Sequence, residues 1–470
     1  MLNHSQWKKL FVMGVFLSAV PMSPQRSTVS NMPIFRPAVP YASGGSVPTS
    51  IAIADVNGDC KADVVVANEA SNSVAVLLGK GDGSFRPAVS YVPGGIFTES
   101  VGVNDVNGDG KPDLLVAIAC GSSLGDCSGL VGVLLGNGDG TFKPAVNYGS
   151  GGQTADSVAS ADVNEDGNPD LLVANECGVI AASCPPDANG GIGVLLGNGD
   201  GTFQPAVTYD AGGGSTRSLA VADVNGDGKP DLLLANCGRS DCAIPSTVGV
   251  LLGNGDGTFQ PAVSYGTGCC NSISIAVADV NGDGKPDLLV ANACSIVQFA
   301  CLGEGSVAVL LGNGDGSFQS AVTYGSGGLS TFSVATADVN GDRKPDLLVT
   351  NACEGPSNCA NGSVGVLLGV GDGTFLPAAS YNSGGPEARF VAVADVNRDR
   401  RPDLLVANSF GDSVGVLLNN TPFCHHSRGH DCFHDSDSSK ACERKHGAGE
   451  REDGASEREH GASYRFREDH

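Results

Sequence analysis

The chain has 470 residues, 68 of them glycine, with 41 % apolar, 6 % aromatic and 17 % charged residues. So much glycine implies many turns and argues against a helix-rich enzyme, while the apolar share excludes a disordered polyelectrolyte. Lys plus Arg total 27 against 51 Asp plus Glu, a formal charge of −24 that repels nucleic acid and anionic membrane surfaces and leaves cations as the expected partners.

The first predicted element is an export signal. Lys8 and Lys9 precede the apolar run Leu10 to Val20, and Pro21 ends it. The run is too short to cross a bilayer, and no later run reaches that length. Residues 1–25 are therefore expected to be a signal peptide, and the mature chain secreted or held at the cell surface without a membrane span.

Residues 34–420 are built on a repeat. Asp-Val-Asn recurs at Asp55, Asp105, Asp162, Asp223, Asp279, Asp338 and Asp395. Gly-Asp-Gly-Ser/Thr-Phe places a second aspartate at 82, 139, 200, 256, 315 and 372, always 23 residues before the next Asp-Val-Asn. The converse spacing varies from 27 to 38 residues, so the length variation falls in one loop. Each unit has four short apolar runs bounded by Asn, Gly and Asp, residues that supply the positive φ of hairpin turns. The fold expected is all-β: a seven-bladed β-propeller with four antiparallel strands per blade. A β-solenoid is the runner-up, and the chain ends decide against it. The last unit lacks a fourth strand, and Ile34 to Tyr41 matches Ser84 to Tyr91. An N-terminal strand that completes the last blade closes the ring and removes an exposed edge.

Between the first two strands of each unit lies a loop with oxygen-bearing side chains at positions 1, 3, 5 and 9 and the carbonyl of position 7 turned inward. Hard oxygens at this spacing suit Ca²⁺. The candidate metal residues are Asp55, Asn57, Asp59 and Asp63; Asp105, Asn107, Asp109, Lys111 and Asp113; Asp162, Asn164, Asp166, Asn168 and Asp170; Asp223, Asn225, Asp227, Lys229 and Asp231; Asp279, Asn281, Asp283, Lys285 and Asp287; Asp338, Asn340, Asp342, Lys344 and Asp346; and Asp395, Asn397, Asp399 and Asp403. Lys and Asn168 at position 7 enter through their carbonyls. An EF-hand needs an acidic twelfth residue on a helix, where the second loop has Val116 in an apolar run. The plain alternative is a set of Asx turns without metal. One ion per blade, up to seven, would bring the formal charge from −24 to −10. The Asp395 loop is the weakest, because Arg398, Arg400 and Arg401 crowd it, while Cys60 and Arg343 replace the position-6 glycine in two others.

This loop pattern, with the downstream Gly-Asp-Gly-Thr-Phe marker, resembles the FG-GAP or VCBS repeats of integrin α-subunit propellers and many exported bacterial proteins. The resemblance covers about residues 34–420 and implies a calcium-binding propeller whose ligands are positions 1, 3, 5 and 9 of each loop. It implies no particular activity, since such propellers serve adhesion, lectin and enzymatic roles.

Five cysteine pairs, 120/127, 177/184, 237/242, 294/301 and 353/359, fall in the loops between second and third strands and are expected to form local disulfides in an oxidising compartment. Cys60, Cys269 and Cys270 have no evident partner. These loops share the face opposite the Asp loops with Gly-rich linkers such as 149–153 and 325–328, and recognition is expected there. Phe97 and Phe299 are the contact candidates. Asp156, Glu176, Asp187, Asp241, Glu304, Glu354 and Glu387 show no pairing by spacing and read as solvated charge. No histidine lies between His4 and His425, so catalysis finds little support. The tail, 421–470, is polar and histidine-rich and is expected to be disordered. Two of its cysteines, Cys424 and Cys432, stand near His425, His426, His430 and His434, a secondary metal candidate. The function expected is a secreted or cell-surface, calcium-stabilised binding or adhesion module for an extracellular protein or polysaccharide. The rivals are an extracellular carbohydrate-active enzyme on the same scaffold and a surface-array protein.

Overall fold

The computed structural model describes residues 32–121, 127–178, 189–238, 246–268, 270–294, 304–355 and 359–422. The expected signal segment and the tail beyond Pro422 lie outside them. Thr421, assigned to the tail, is buried, and its hydroxyl accepts from the Ile34 amide at 2.9 Å.

Among the described residues there is no α-helix, only antiparallel sheets and one 3-10 turn, Ser409–Gly411. The second and third strands of each unit read as nearly unbroken apolar runs because both of their faces are covered. Asp63–Asn68 and Ser73–Leu77, for example, are buried at every residue. Strand alternation divides the side chains of one strand between two cores. Val65 and Ala67 pack with Val101, Leu114 and Val116 of the next unit, whereas Val64 and Val66 pack with Leu405, Val414 and Val416 of the last. Each such Val or Leu side chain contributes about 1.5–3 kcal/mol by leaving water.

The inner strands are Pro48–Ala54, Ile96–Asn104, Val146–Ala161, Thr216–Ala222, Cys270–Ala278, Val322–Ala337 and Ala388–Ala394. Each packs against the next, and the last packs against the first, so the cycle closes. A cycle of edge-to-face aromatic pairs follows it. Tyr41 meets Phe85 at 5.4 Å between ring centroids, and the series ends where Tyr381 meets Phe35 at 5.1 Å. At the seam Val39–Ala42 pairs antiparallel with Ser413–Leu417, as the sequence match of 34–41 to 84–91 predicts. The Tyr381 hydroxyl donates to the Pro33 carbonyl at 2.6 Å.

One expectation is corrected. The segments 149–153 and 325–328 are not linkers but parts of the long strands Val146–Ala161 and Val322–Ala337, each shared by two units. Gly151 and Gly327 take φ of +84° and +80°, which turns the chain while the ladder continues. The outer strands do not start at the Phe of the marker. Phe85 and its equivalents form isolated bridges, and pairing resumes at Val89, past Pro87, which has no amide to donate.

Of the cysteine pairs, Cys120–Cys127 and Cys353–Cys359 are bonded. Cys60 and Cys177 are also oxidised. Cys237 is a correction: it is a free, buried thiol whose Sγ turns inward to the Asn271 Oδ1 at 2.6 Å. Cys184, Cys242, Cys269 and Cys301 lie outside the described residues.

Candidate functional site

The seven Asp loops share one hydrogen-bond plan. In the second, the Asp109 amide donates to Asp105 Oδ1 at 3.2 Å and to Asn107 Oδ1 at 2.9 Å, which brings the oxygens of positions 1 and 3 onto one atom. The Gly110 amide donates to Asp105 Oδ2, and the Lys111 amide to Asp109 Oδ1. The same bonds recur from the first loop, on Asp55, Asn57 and Asp59, to the seventh, on Asp395, Asn397 and Asp399. Position 6 always has positive φ. Cys60, Arg343 and Arg400 take 62°, 68° and 65° there, a conformation that L side chains occupy at a cost. Arg343→Gly is therefore expected to stabilise the protein by about 0.5–1 kcal/mol, read as a higher denaturation midpoint in urea. An unchanged or lower midpoint would contradict this.

Position 9 differs from the others. Asp63, Asp113, Asp170, Asp231, Asp287, Asp346 and Asp403 are fully buried. Asp113 Oδ2 accepts from the Val106 amide at 3.0 Å and Oδ1 from the Gly136 amide at 2.7 Å, tying the Asp loop to the hairpin between the third and fourth strands. A Cβ on Gly136 would stand 2.1 Å from the Pro112 carbonyl, so this approach requires glycine. Burial pushes the position-9 carboxyls up, Asp63 to about 6 and Asp346 and Asp403 to about 7. Their two amide bonds pull the other way, and positions 5 and 1 add to the rise.

The loop donors are oxygens only, a set that fits a hard cation. Among the described residues no three Asp, Glu, His or Cys side chains stand close enough to hold a metal by themselves. A cation there would need further donors, and the loop offers the Asn oxygen of position 3 and the position-7 carbonyl. Lys61 Nζ lies 2.9 Å from Asp59 Oδ2, and Lys111 and Lys285 reach 3.7 and 3.8 Å from Asp109 and Asp283. The second-marker aspartates, such as Asp139, are exposed and cap their own turns. The Thr141 hydroxyl and amide hold the Asp139 carboxyl below its ordinary range.

A second site lies at the other end of the inner strands. Six residues before each Asp-Val-Asn stands a residue that faces its counterparts: Thr49, Glu99, Asp156, Arg217, Ile273, Phe332 and Arg389. Together they line a cavity of about 330 Å³. Six residues of strand put it roughly 20 Å from the Asp loops. The next position is serine in most units, and the Ser50, Ser218 and Ser274 hydroxyls each accept from an amide of the neighbouring inner strand. Arg217 is bracketed by Asp156, at 3.1 Å, and Glu176. Arg389 is bracketed by Glu387 at 3.1 Å and Glu69 at 3.4 Å, with its guanidinium 5.3 Å from the centre of the Phe332 ring.

The FG-GAP-like repeat is matched at residues 55–116, 105–173, 179–234, 238–290 and 296–349. The chain belongs to the FG-GAP-like repeat family. Human phosphatidylinositol-glycan-specific phospholipase D is 30 % identical over 161 residues, which are 29 % of this chain and 18 % of the relative. The chain thus spans under a fifth of that protein's length. Among solved structures, BBS1N in complex with ARL6DN superposes with a TM-score of 0.51 at 12 % identity, covering 82 % of this chain and 96 % of the other. That likeness is one of fold. The exotype rhamnogalacturonan lyase YesX gives 0.46 at 14 % identity, covering 82 % and 76 %.

Within this FG-GAP-like frame, the expectation that Asp156, Glu176 and Glu387 are solvated surface charges is corrected: Asp156 and Glu176 converge on Arg217, and Glu387 pairs with Arg389. Burial pushes the Asp156 carboxyl well above its ordinary range, with Arg217 pulling the other way. Burial disfavours the charged guanidinium, yet Asp156 and Glu176 outweigh it and hold Arg217 above its ordinary value. Glu99, Arg217, Phe332 and Arg389 went unread as a group, although their shared offset from Asp-Val-Asn was the available signal. Phe97 lies outside the cavity lining, with φ of 62° and its amide on Asn72 Oδ1. Phe299 is outside the described residues.

Among the described residues the Glu99 carboxylate makes no hydrogen bond or ion pair, and burial pushes it to about 7, aided by Glu69 and opposed by Arg389 and Arg217. Below the ordinary value of 4.5 the folded and unfolded chains are both protonated. Between 4.5 and 7 only the unfolded chain loses its proton, so stability falls as pH rises through that window. Glu99→Gln is expected to match the parent near pH 4 and to exceed its stability by about 2–3 kcal/mol at pH 8. Urea melts at both pH values check this. An equal difference at both would show that Glu99 is solvated.

Proposed function

We propose that the chain is a secreted, seven-bladed propeller with four strands per blade, stabilised by calcium and acting as an extracellular binding or adhesion module. Its ligand, a protein or polysaccharide, is taken at the end opposite the Asp loops. One observation carries this reading. The cavity is lined by the seven positions at a single offset, which range from acidic through basic to aromatic although the next residues of the same strands are nearly alike. Structure alone would be served by seven equal residues, as the Asp loops are. The bonded pairs Cys120–Cys127 and Cys353–Cys359, in loops at that same end, suit an oxidising, extracellular setting. Among the described residues no helix is long and apolar enough to cross a membrane.

Calcium would be held by the side chains of positions 1, 3, 5 and 9 and the position-7 carbonyl of each loop. There it would neutralise carboxylates that otherwise repel one another. Bound metal per chain, measured at micromolar and again at millimolar calcium, is expected to reach five to seven ions. Chelation is expected to lower the melting temperature by about ten degrees or more. No calcium at millimolar concentration, with an unchanged melt, would reduce the loops to Asx turns.

A second reading, a carbohydrate-active enzyme, is favoured by one feature: Glu99 and Asp156 share a cavity with their carboxyls raised. Polysaccharide turnover abolished by Glu99→Gln would favour the enzyme. Saturable, calcium-dependent binding without turnover would favour the module.

A further inference from the structure

Resting on the cavity as the ligand site, we propose that it seats an organic cation, a protonated amine on an apolar body. The ammonium stands against Glu99, and the body lies against Ile273, Phe332 and Phe390. The cavity is divided. In the order of the inner strands, Thr49, Glu99 and Asp156 come from three successive units and make a polar, acidic sector. Ile273 and Phe332 come from the fifth and sixth units and make an apolar sector across from it, extended by Phe390. A guest that satisfies both sectors has a polar or charged head and an apolar flank.

The ion-pair pattern sets the sign of that head. Each arginine is already held by two carboxylates, Arg217 by Asp156 and Glu176 and Arg389 by Glu69 and Glu387. Neither offers free positive charge to an anion. Glu99 is the fifth carboxylate around the two guanidinium groups and has no partner of its own among the described residues, so negative charge is in excess. A carboxylate or phosphate guest would meet that excess. A neutral guest would leave a half-buried carboxylate uncompensated, whereas a cation would supply its missing partner. A cavity of about 330 Å³ accepts a guest of one ring and a short chain.

The test is calorimetric titration of the full chain, in millimolar calcium at pH 8, with 2-phenylethylammonium, its uncharged isostere 2-phenylethanol and the anion 3-phenylpropionate. The amine is expected to bind saturably, at least tenfold more tightly than the alcohol, and the anion not at all. Glu99→Gln is expected to reduce amine affinity at least tenfold while leaving alcohol affinity and the fold intact. Glu99→Asp should keep the preference for the amine, and Phe332→Ala should weaken amine and alcohol alike. If the alcohol binds as tightly as the amine and Phe332→Ala weakens both, the cavity stands as a ligand site and the cation inference fails. An amine affinity unchanged in Glu99→Gln also overturns the inference. If no probe binds at tens of millimolar, cavity and cation fall together.

Discussion

Arg217→Ala is expected to lower stability by about 3 kcal/mol at pH 8, the low end of the effect of stripping a buried carboxylate of its partner. Asp156 is the reason. Its side chain is only 10 % exposed, and Arg217 at 3.1 Å is its ion-pair partner. The guanidinium is itself 39 % exposed, so water reaches that side of the pair and moderates the loss. Removing Arg217 leaves Asp156 with the charges of Glu176 and Glu99 near it and no ion-pair partner to offset them. The variant relieves this by binding protons, so its deficit should shrink as pH falls toward about 3, below the ordinary carboxyl values, where the carboxyls are neutral in both states. A deficit independent of pH would mean that lost packing, not charge, dominates. The double variant Arg217→Met with Asp156→Leu is expected to recover most of the stability, because a buried ion pair contributes little net stability compared with apolar residues of similar size. Urea melts of the single and double variants at two pH values separate these outcomes.

The same cavity shows what kind of information a repeat hides. The Asp loops were legible because their chemistry is local: Asp105, Asn107, Asp109 and Gly110 sit within six residues and form their hydrogen bonds with one another. Closure of the cycle was legible because the segment 34–41 repeats 84–91, and a strand that matches an outer strand must find the partner it lacks. The ring of Glu99, Asp156, Arg217 and Arg389 was not legible by pattern, because its members are separated by whole units and differ in kind. They share only an offset, and an offset marks a site only once the inner strands are known to face one another. Cys237 failed for a related reason. A neighbouring cysteine five residues on suggested a local bridge, but the thiol turns to Asn271 of the next unit, 34 residues away. Sequence distance predicted contact inside a turn and failed where contact runs across the sheets.

Asp113→Ala should be more damaging than any substitution at positions 1, 3 or 5 of the same loop, with an expected loss of about 3–5 kcal/mol. Asp105 and Asn107 accept amides that are exposed, and water can replace them. Both oxygens of Asp113 accept amides in a buried setting, from Val106 at 3.0 Å and Gly136 at 2.7 Å. Truncation leaves two buried donors unpaired, each at about 1–3 kcal/mol, and opens the join between the Asp loop and the next hairpin. Asp113→Asn separates the two roles that position 9 can have. Its amide oxygen can keep one of the two bonds, but its NH₂ would be set against the other N–H donor, so about half of the loss should remain even in the absence of calcium. Melts recorded with and without chelator decide between them. A deficit for Asp113→Ala that persists in chelator assigns position 9 to the backbone tie. A deficit that vanishes in chelator would assign the residue to the metal alone and remove the tie as a source of stability. Because the same two bonds recur at Asp63, Asp170, Asp231, Asp287, Asp346 and Asp403, the persistent deficit is expected at each of them.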